Sequence, residues 1–403
     1  MSCASRVIGV PARPLLLSVL TVALLLEGPP ATGSSAPPAR SALVQRAVAT
    51  VLPPIAQMGP SPQDPSRAST VVTGRFRPTE PGRPVALELR RGGTWVVVQR
   101  SRLDRRGRAS FTAPPPADGP PTYRVTAAAY RGLPEKSTKT VGSPEWGAPA
   151  FIDTFDAATL APAWEHRIQF YNPWGGRSCS KGDPSAVSVG GGTLQLSVLV
   201  DPARASESCA TYDPAGNHVG DYRWRLNGHV STQHSFDFQY GVAAARMRFQ
   251  RKQGQHAAFW LQPRGLLDTG PTPWGAEIDV IEWYGEKRGA RSPLATAIHR
   301  HEANSPDTTT VGGPLPDPDR YLEGRTDRWW RNYHVFSVEW TPREYVFRID
   351  GQETMRTSQG VSHHPEFLIL SMLSSDFELG LLHGEDQLPQ HVDVDWVAAW
   401  PAS

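Results

Sequence analysis

Apolar and polar positions alternate with a period of two through most of this chain, in short runs broken by Gly, Pro and Asp. That period marks strands with one buried face, and few stretches show a convincing helical period. Between residues 67 and 142 the runs are "STVVTGRF", "PVALELR", "TWVVVQR", "RASFTA" and "YRVTAAAY", with the turn signals "RRGG" and "DRRG" among them. They predict a small antiparallel β-sandwich. From 151 to 403 the runs include "TLQLSVLV", "YGVAAARMRFQ", "HAAFWLQP", "AEIDVIEWY", "YHVFSVEWT", "EFLILSML" and "HVDVDWVAAW". "EYVFRID" followed by "GQETMRT" predicts a hairpin turning on Asp350-Gly351, the strongest short-range hairpin signal. An all-β class is expected: a large two-sheet jelly roll preceded by the smaller sandwich.

The flanks change the picture in two ways. Residues 1–36 read as a signal peptide, with Arg6 and Arg13 before the apolar "LLLSVLTVALLL" and the small residues of "ATGSSA" after it. Twelve apolar residues fall short of the roughly 20 a membrane span needs. The chain is therefore expected to be secreted and extracellular, with no membrane association after cleavage. Residues 37–66, rich in Pro, Ala and Ser, read as a flexible segment, and 143–150 as a linker. The sandwich of 67–142 resembles the immunoglobulin-like (Ig-like) domains attached to many bacterial secreted enzymes, and a spacer role is expected of it. The part from 148 onward is expected to fold alone. Cleavage leaves two cysteines, Cys179 and Cys209, which an oxidising compartment favours as a disulfide bracing a long loop.

Charge is nearly balanced, with 41 basic and 39 acidic residues and no long block of one sign. That argues against nucleic acid as a partner. Thirteen Trp is a high count, and Trp beyond core needs stacks well on flat faces such as sugar rings.

The stretch "GAEIDVIEW" (275–283) carries the chemistry. Glu277 and Asp279 share one face of a strand, with Ile278 and Val280 on the other. Glu282 lies an odd number of positions from Glu277 and would face away on a regular strand. A β-bulge near Val280 or Ile281 returns it to the same face. Two bland readings compete: a solvated strand face, which would usually mix in Lys, Ser or Thr, and a calcium site, which wants ligands at regular steps in a loop. Clustered carboxylates repel, so one holds its proton to higher pH than usual. An ionised and a protonated carboxyl either side of a glycosidic bond are what a glycosidase requires.

"GAEIDVIEWYG" resembles the Glu-x-Asp-x-x-Glu signature of glycoside hydrolase family 16, the laminarinase-like group. "FDFQYGVAAARMRF", "HAAFWLQP", "YHVFSVEWTPREYVFRIDG" and "VDWVAAW" resemble further strands of that family in the same order. The resemblance covers roughly 151–401 and implies a concanavalin-like β-jelly roll and a retaining double displacement. Carried over, Glu277 matches the nucleophile, Glu282 the general acid/base and Asp279 the carboxylate between them. Trp260 and Trp274 match aromatic walls against the sugar. Of Trp283 and Tyr284, one is expected in the cleft and the other in packing. His299, with His301 as its rival, matches a histidine reaching the site, and Asn172 a loop residue on sugar hydroxyls. Trp340 and Trp396 are assigned to the core. Ile281 and Gln262 depart from the pattern, where family members acting on β-1,3-glucan often carry Met and Leu.

The resemblance implies an endo-acting β-glycan hydrolase, on β-1,3- or mixed-linkage β-glucan first. Galactan hydrolysis, transglycosylation and sugar binding without catalysis are the rival readings. Polysaccharide is the expected partner, a monomer the expected state, and no cofactor is required. Asp393 and Asp395 in "VDVDW" hint at structural calcium without a clear motif.

Overall fold

The structure, a computed structural model, describes residues 44–113, 121–142, 146–173, 176–213, 215–264, 275–286, 293–301, 308–380, 382 and 387–402. The signal segment and Trp274 lie outside the described residues.

Two antiparallel sheets form a β-jelly roll. In one, neighbouring strands run Arg225–Ser231, Glu366–Leu373, His256–Pro263, Ala276–Trp283, Leu294–His301 and Thr308–Pro314. In the other they run Val187–Val189, Leu194–Val200, Gln390–Pro401, Gly241–Arg248, His334–Trp340, Tyr345–Ile349 and Gln352–Thr357. Alternation sends Phe259, Leu261, Ile278, Leu368 and Leu370 of the first sheet against Leu196, Met247, Val338, Phe347 and Val394 of the second. This is the main core. The residues of the first sheet that point away from it, Trp260, Gln262, Glu277 and Asp279 among them, share a single outer face. Only one short α-helix, Asp376–Leu379, occurs among the described residues.

The smaller module has two sheets around its own core of Val72, Phe76, Leu87, Phe111, Tyr123 and Val125. The first comprises Arg46–Ala56, Ser69–Arg77 and Arg108–Ala113; the second pairs Thr94–Arg102 with Pro84–Arg91 and Pro84–Arg91 with Thr122–Ala127.

One expectation is corrected here. The described part of the segment read as flexible contains the edge strand Arg46–Ala56 and a 3-10 turn, Pro65–Arg67. Its Pro53-Pro54 step hides it, because proline cannot donate to a ladder. The pairing register shifts on either side of Pro54, which is where an edge strand accommodates proline. Leu52, Ile55 and Val71 then pack on Val242, Val335, Trp396 and Trp400. Those residues lie on the outer face of the second sheet, so the small module backs the jelly roll on the side away from the carboxylates.

Candidate active site

Glu277, Asp279 and Glu282 project from one strand because that strand is bulged. Asp279 stands opposite Ala297 and Glu282 opposite Ala295, so Val280 and Ile281 together face the single residue Thr296. Both apolar residues are buried in the main core. The Thr296 hydroxyl donates to the Val280 carbonyl at 3.1 Å, giving a partner to a group the bulge takes out of the ladder. At the start of the strand, Gly275 admits no side chain: a Cβ there would lie 2.4 Å from Ser362 Oγ.

The neighbours of each acid are specific. His299, directly across from Glu277, places Nε2 3.1 Å from Asp279 Oδ2, and its Nδ1 is 2.9 Å from Thr310 Oγ1. Tyr284 donates its hydroxyl to Glu282 Oε1 at 2.9 Å. Beneath Tyr284, the His256 ring lies 5.3 Å away and pairs through Nδ1 with Glu378 Oε2 at 3.0 Å. Gln262 donates from Nε2 to Glu277 Oε2 at 3.3 Å. Trp260 is half-buried, donates to Ser371 Oγ at 3.1 Å and stacks on His229.

Burial, then repulsion from Asp279, pushes the Glu277 carboxyl up to about 8, with His299 and Arg167 acting against the rise. Burial, then Glu282, pushes Asp279 well above the usual carboxylate range. The pair therefore retains a proton near neutral pH. Burial, then Glu282, raises Tyr284, which stays a neutral donor. Burial, then Arg167, drives His229 far down, so its ring is neutral. For His256 burial works against the cation, but Glu378 outweighs it and the net shift is upward. Glu277, Asp279 and His299 bring ligand-type atoms within 4.8 Å of one another, a spacing a metal ion would also accept.

The structure brings Trp260, Tyr284 and His299 together with the three acids. It does not do so with Trp283, which is corrected here: the indole is 1% exposed, stacks on Phe249 and donates to the Gln250 carbonyl at 2.6 Å. Past the bulge, the residue after Glu282 returns to the core face. His301 approaches Thr308 instead of the acids. Asn172 forms a backbone bridge with Arg177, and Arg177 is near enough to Glu277 and Glu378 for each to favour its charged form. Trp340 and Trp396 are core. Of the two acids in "VDVDW", Asp393 is paired with Arg248 and Asp395 with Arg246. Cys179 and Cys209 are bridged, closing a separation of 30 residues and tying the Arg177 segment to the hairpin Ser208–Tyr212/His218–Arg223.

Four residues of the site were not singled out from sequence. Arg167 and Arg177 come from segments without a strong pattern of their own, whereas His256 opens the run "HAAFWLQP" but carries no signal of its own there. Gln262 was visible only as a polar residue where the strand motif has an apolar one.

The class is a two-sheet jelly roll with three clustered acids on the outer face of one sheet. Residues 201–398 match the model of Glycosyl hydrolases family 16, which makes this part of the chain a domain of that family. It is 23% identical over 225 residues to a keratan-sulfate endo-1,4-beta-galactosidase of Sphingobacterium multivorum, covering 54% of this chain and 46% of that protein. It is also 23% identical over 220 residues to a beta-glucanase of Rhodothermus marinus, covering 53% and 66%. The chain thus spans less than two thirds of the length of these curated relatives. Among solved structures it is similar to the catalytic domain of an endo-1,3-beta-glucanase (laminarinase) from Thermotoga petrophila RKU-1, at 22% identity and a TM-score of 0.48, covering 62% of this chain and 96% of that one.

Proposed function

We propose that this protein is an exported, endo-acting β-glycan hydrolase that retains anomeric configuration, with β-1,3- or mixed-linkage β-glucan as its first substrate. The observation that carries the reading is the bulge, which sets Glu277, Asp279 and Glu282 on one outer face of the sheet in a domain that matches family 16. Glu277 attacks the anomeric carbon while Glu282 protonates the departing oxygen, and the glycosidic bond breaks. Glu282 then takes a proton from water, whose oxygen displaces Glu277 and releases the sugar. Tyr284 holds the Glu282 carboxyl in place through both steps. Asp279, the most deeply buried of the three, keeps the shared proton. Trp260 offers an apolar wall to the sugar. No cofactor takes part, and the small module serves as a brace and spacer for a monomer.

Galactan hydrolysis is the second reading, favoured by the match to the keratan-sulfate galactosidase. The deciding assay is reducing-end release from laminarin, lichenan, agarose and keratan sulfate. Cleavage of either glucan supports the first reading, and cleavage of the galactans alone replaces it. Products longer than the substrate would mark transglycosylation, and binding without products a lectin-like protein.

A further inference from the structure

Gln262 is the residue that departs from the apolar strand pattern, and it touches Glu277. Its side-chain oxygen is held in turn by Arg167, whose Nη2 donates to Gln262 Oε1 at 3.0 Å. We infer that Arg167 and Gln262 form a positioning relay that presents a hydrogen-bond donor to Glu277 and so favours its ionised, nucleophilic form. The inference rests on Glu277 being the nucleophile.

The direction of the relay is set by what each group can do. A guanidinium only donates, so the amide oxygen must face Arg167. The amide NH2 then has to face Glu277, where it can meet a carboxylate lone pair but cannot accept a proton from a carboxylic acid. Turning the amide over would set two sets of donors against each other at Arg167. With the amide fixed, the proton shared in the Glu277–Asp279 pair is stabilised on Asp279.

Arg167 is built into this place. Its guanidinium lies 5.4 Å from the centre of the Trp260 ring and 5.3 Å from that of Phe367, a flat slot suited to a delocalised cation. The side chain is 6% exposed. Its backbone N–H donates to the His229 carbonyl at 3.0 Å, extending the pairing of Glu165–His166 with Arg225–Ser231. The chain then turns through Ile168 at φ 49°, and Gly182 lies against it so closely that a Cβ would sit 2.1 Å from the Arg167 carbonyl oxygen. Burial pulls the guanidinium down to about 10, with Glu165 and Glu277 opposing, so it remains charged at neutral pH.

The charged and titratable groups around Glu277 are Asp279 and Glu282 on its own strand, His299 on the next, Glu366 across the sheet, and Arg167 and Arg177. Only Gln262 and Arg167 are removed in the test, which is a carbon-13 NMR titration of the full chain labelled at glutamate carboxyls. Glu277→Gln identifies the signal. In Gln262→Leu and Arg167→Met the Glu277 midpoint should move up by about one pH unit, and less in Arg167→Lys, which keeps the charge without the fork. On soluble laminarin the first two should lower kcat about tenfold with KM within about twofold. Thermal melts accompany each variant; should Arg167→Met fail to fold, the nearly isosteric Gln262→Leu decides. Midpoints unchanged in the folded variants overturn the relay whatever Glu277 does. A shifted midpoint with full activity in Glu277→Gln keeps the relay and removes Glu277 as nucleophile.

Discussion

Trp396 Nε1 donates to Gln57 Oε1 at 2.8 Å across a sequence separation of 339 residues. One partner is on the closing strand of the jelly roll, the other just past the edge strand of the small module. The same segment feeds a buried ion pair. Arg246, salt-bridged to Asp395, also donates to the carbonyls of Gln57 at 2.7 Å, Ser61 at 3.0 Å and Gly59 at 3.4 Å. Neither Arg246 nor Trp396 has any exposed surface. The jelly roll thus depends on a segment outside it to satisfy groups inside it, which runs against the expectation that residues from 148 onward fold alone.

Gln57→Ala should lower stability without touching the chemistry. It strands a buried indole N–H, a loss of about 1 to 3 kcal/mol. For a domain of this size that corresponds to a fall in melting temperature of about 2 to 10 °C. The carboxylates lie on the other sheet, so kcat on laminarin should be unchanged. Chains lacking residues 1–147 should melt much lower still, or aggregate, since they expose Trp396 and Trp400 and leave Arg246 short of acceptors. A truncated chain as stable as the full one, by differential scanning calorimetry, would contradict this.

The Cys179–Cys209 bridge should contribute about 3 to 4 kcal/mol on the chain-entropy scale for a loop of this length. Because the bridge anchors the segment next to Arg177, which lies near Glu277, Cys209→Ser should also raise KM for laminarin. Denaturant melts of the variant beside the oxidised wild type measure the first effect, and initial-rate kinetics the second.

His334 gives stability a pH dependence of definite sign. Its ring is fully buried between Asp350, 2.7 Å from Nδ1, and Asp327, 3.3 Å from Nε2. Burial alone would lower its pKa, but the two carboxylates raise it from 6.5 to about 9. A group raised on folding stabilises fully below its unfolded value and loses that contribution as pH climbs through the folded one. Stability should therefore fall between about pH 6.5 and 9, by up to about 3 kcal/mol. His334→Gln should be less stable at pH 6 and should lose the part of the slope that His334 supplies across that window, keeping the part that the raised Glu277 and Asp279 carboxyls supply. Equal slopes for both proteins in urea melts would refute the assignment.

The bulge was legible because Glu277 and Glu282 differ by an odd step, and period-two alternation leaves few other ways to place three acids on one face. The same bulge reverses the alternation for the residues beyond it, and sequence alone left open which of Trp283 and Tyr284 enters the cleft. Strand Arg46–Ala56 was hidden by its two prolines and by Ala-rich surroundings, although its burial comes from tertiary contacts no local pattern records. Arg167 and Gln262 are 95 residues apart, and neither predicts the other; only the pairing of the Glu165–His166 strand brings them together.

The roles of Glu277 and Glu282 can be separated by leaving group and by azide. Glu277→Ala removes the covalent route for every substrate. Glu282→Ala should be most damaging where the departing oxygen needs a proton, as in a polysaccharide. An aryl β-glycoside with a good leaving group needs little protonation, so this variant should still form the glycosyl-enzyme from it. Turnover should then stall, because the same residue is required as base toward water. Azide needs no base, and it should restore turnover and give a β-glycosyl azide. In Glu277→Ala, azide would instead fill the space of the missing carboxylate and attack directly from that side, giving the α product. Proton NMR of the anomeric signal reads the outcome. Azides of the opposite anomers in the two variants would exchange the assignments of Glu277 and Glu282.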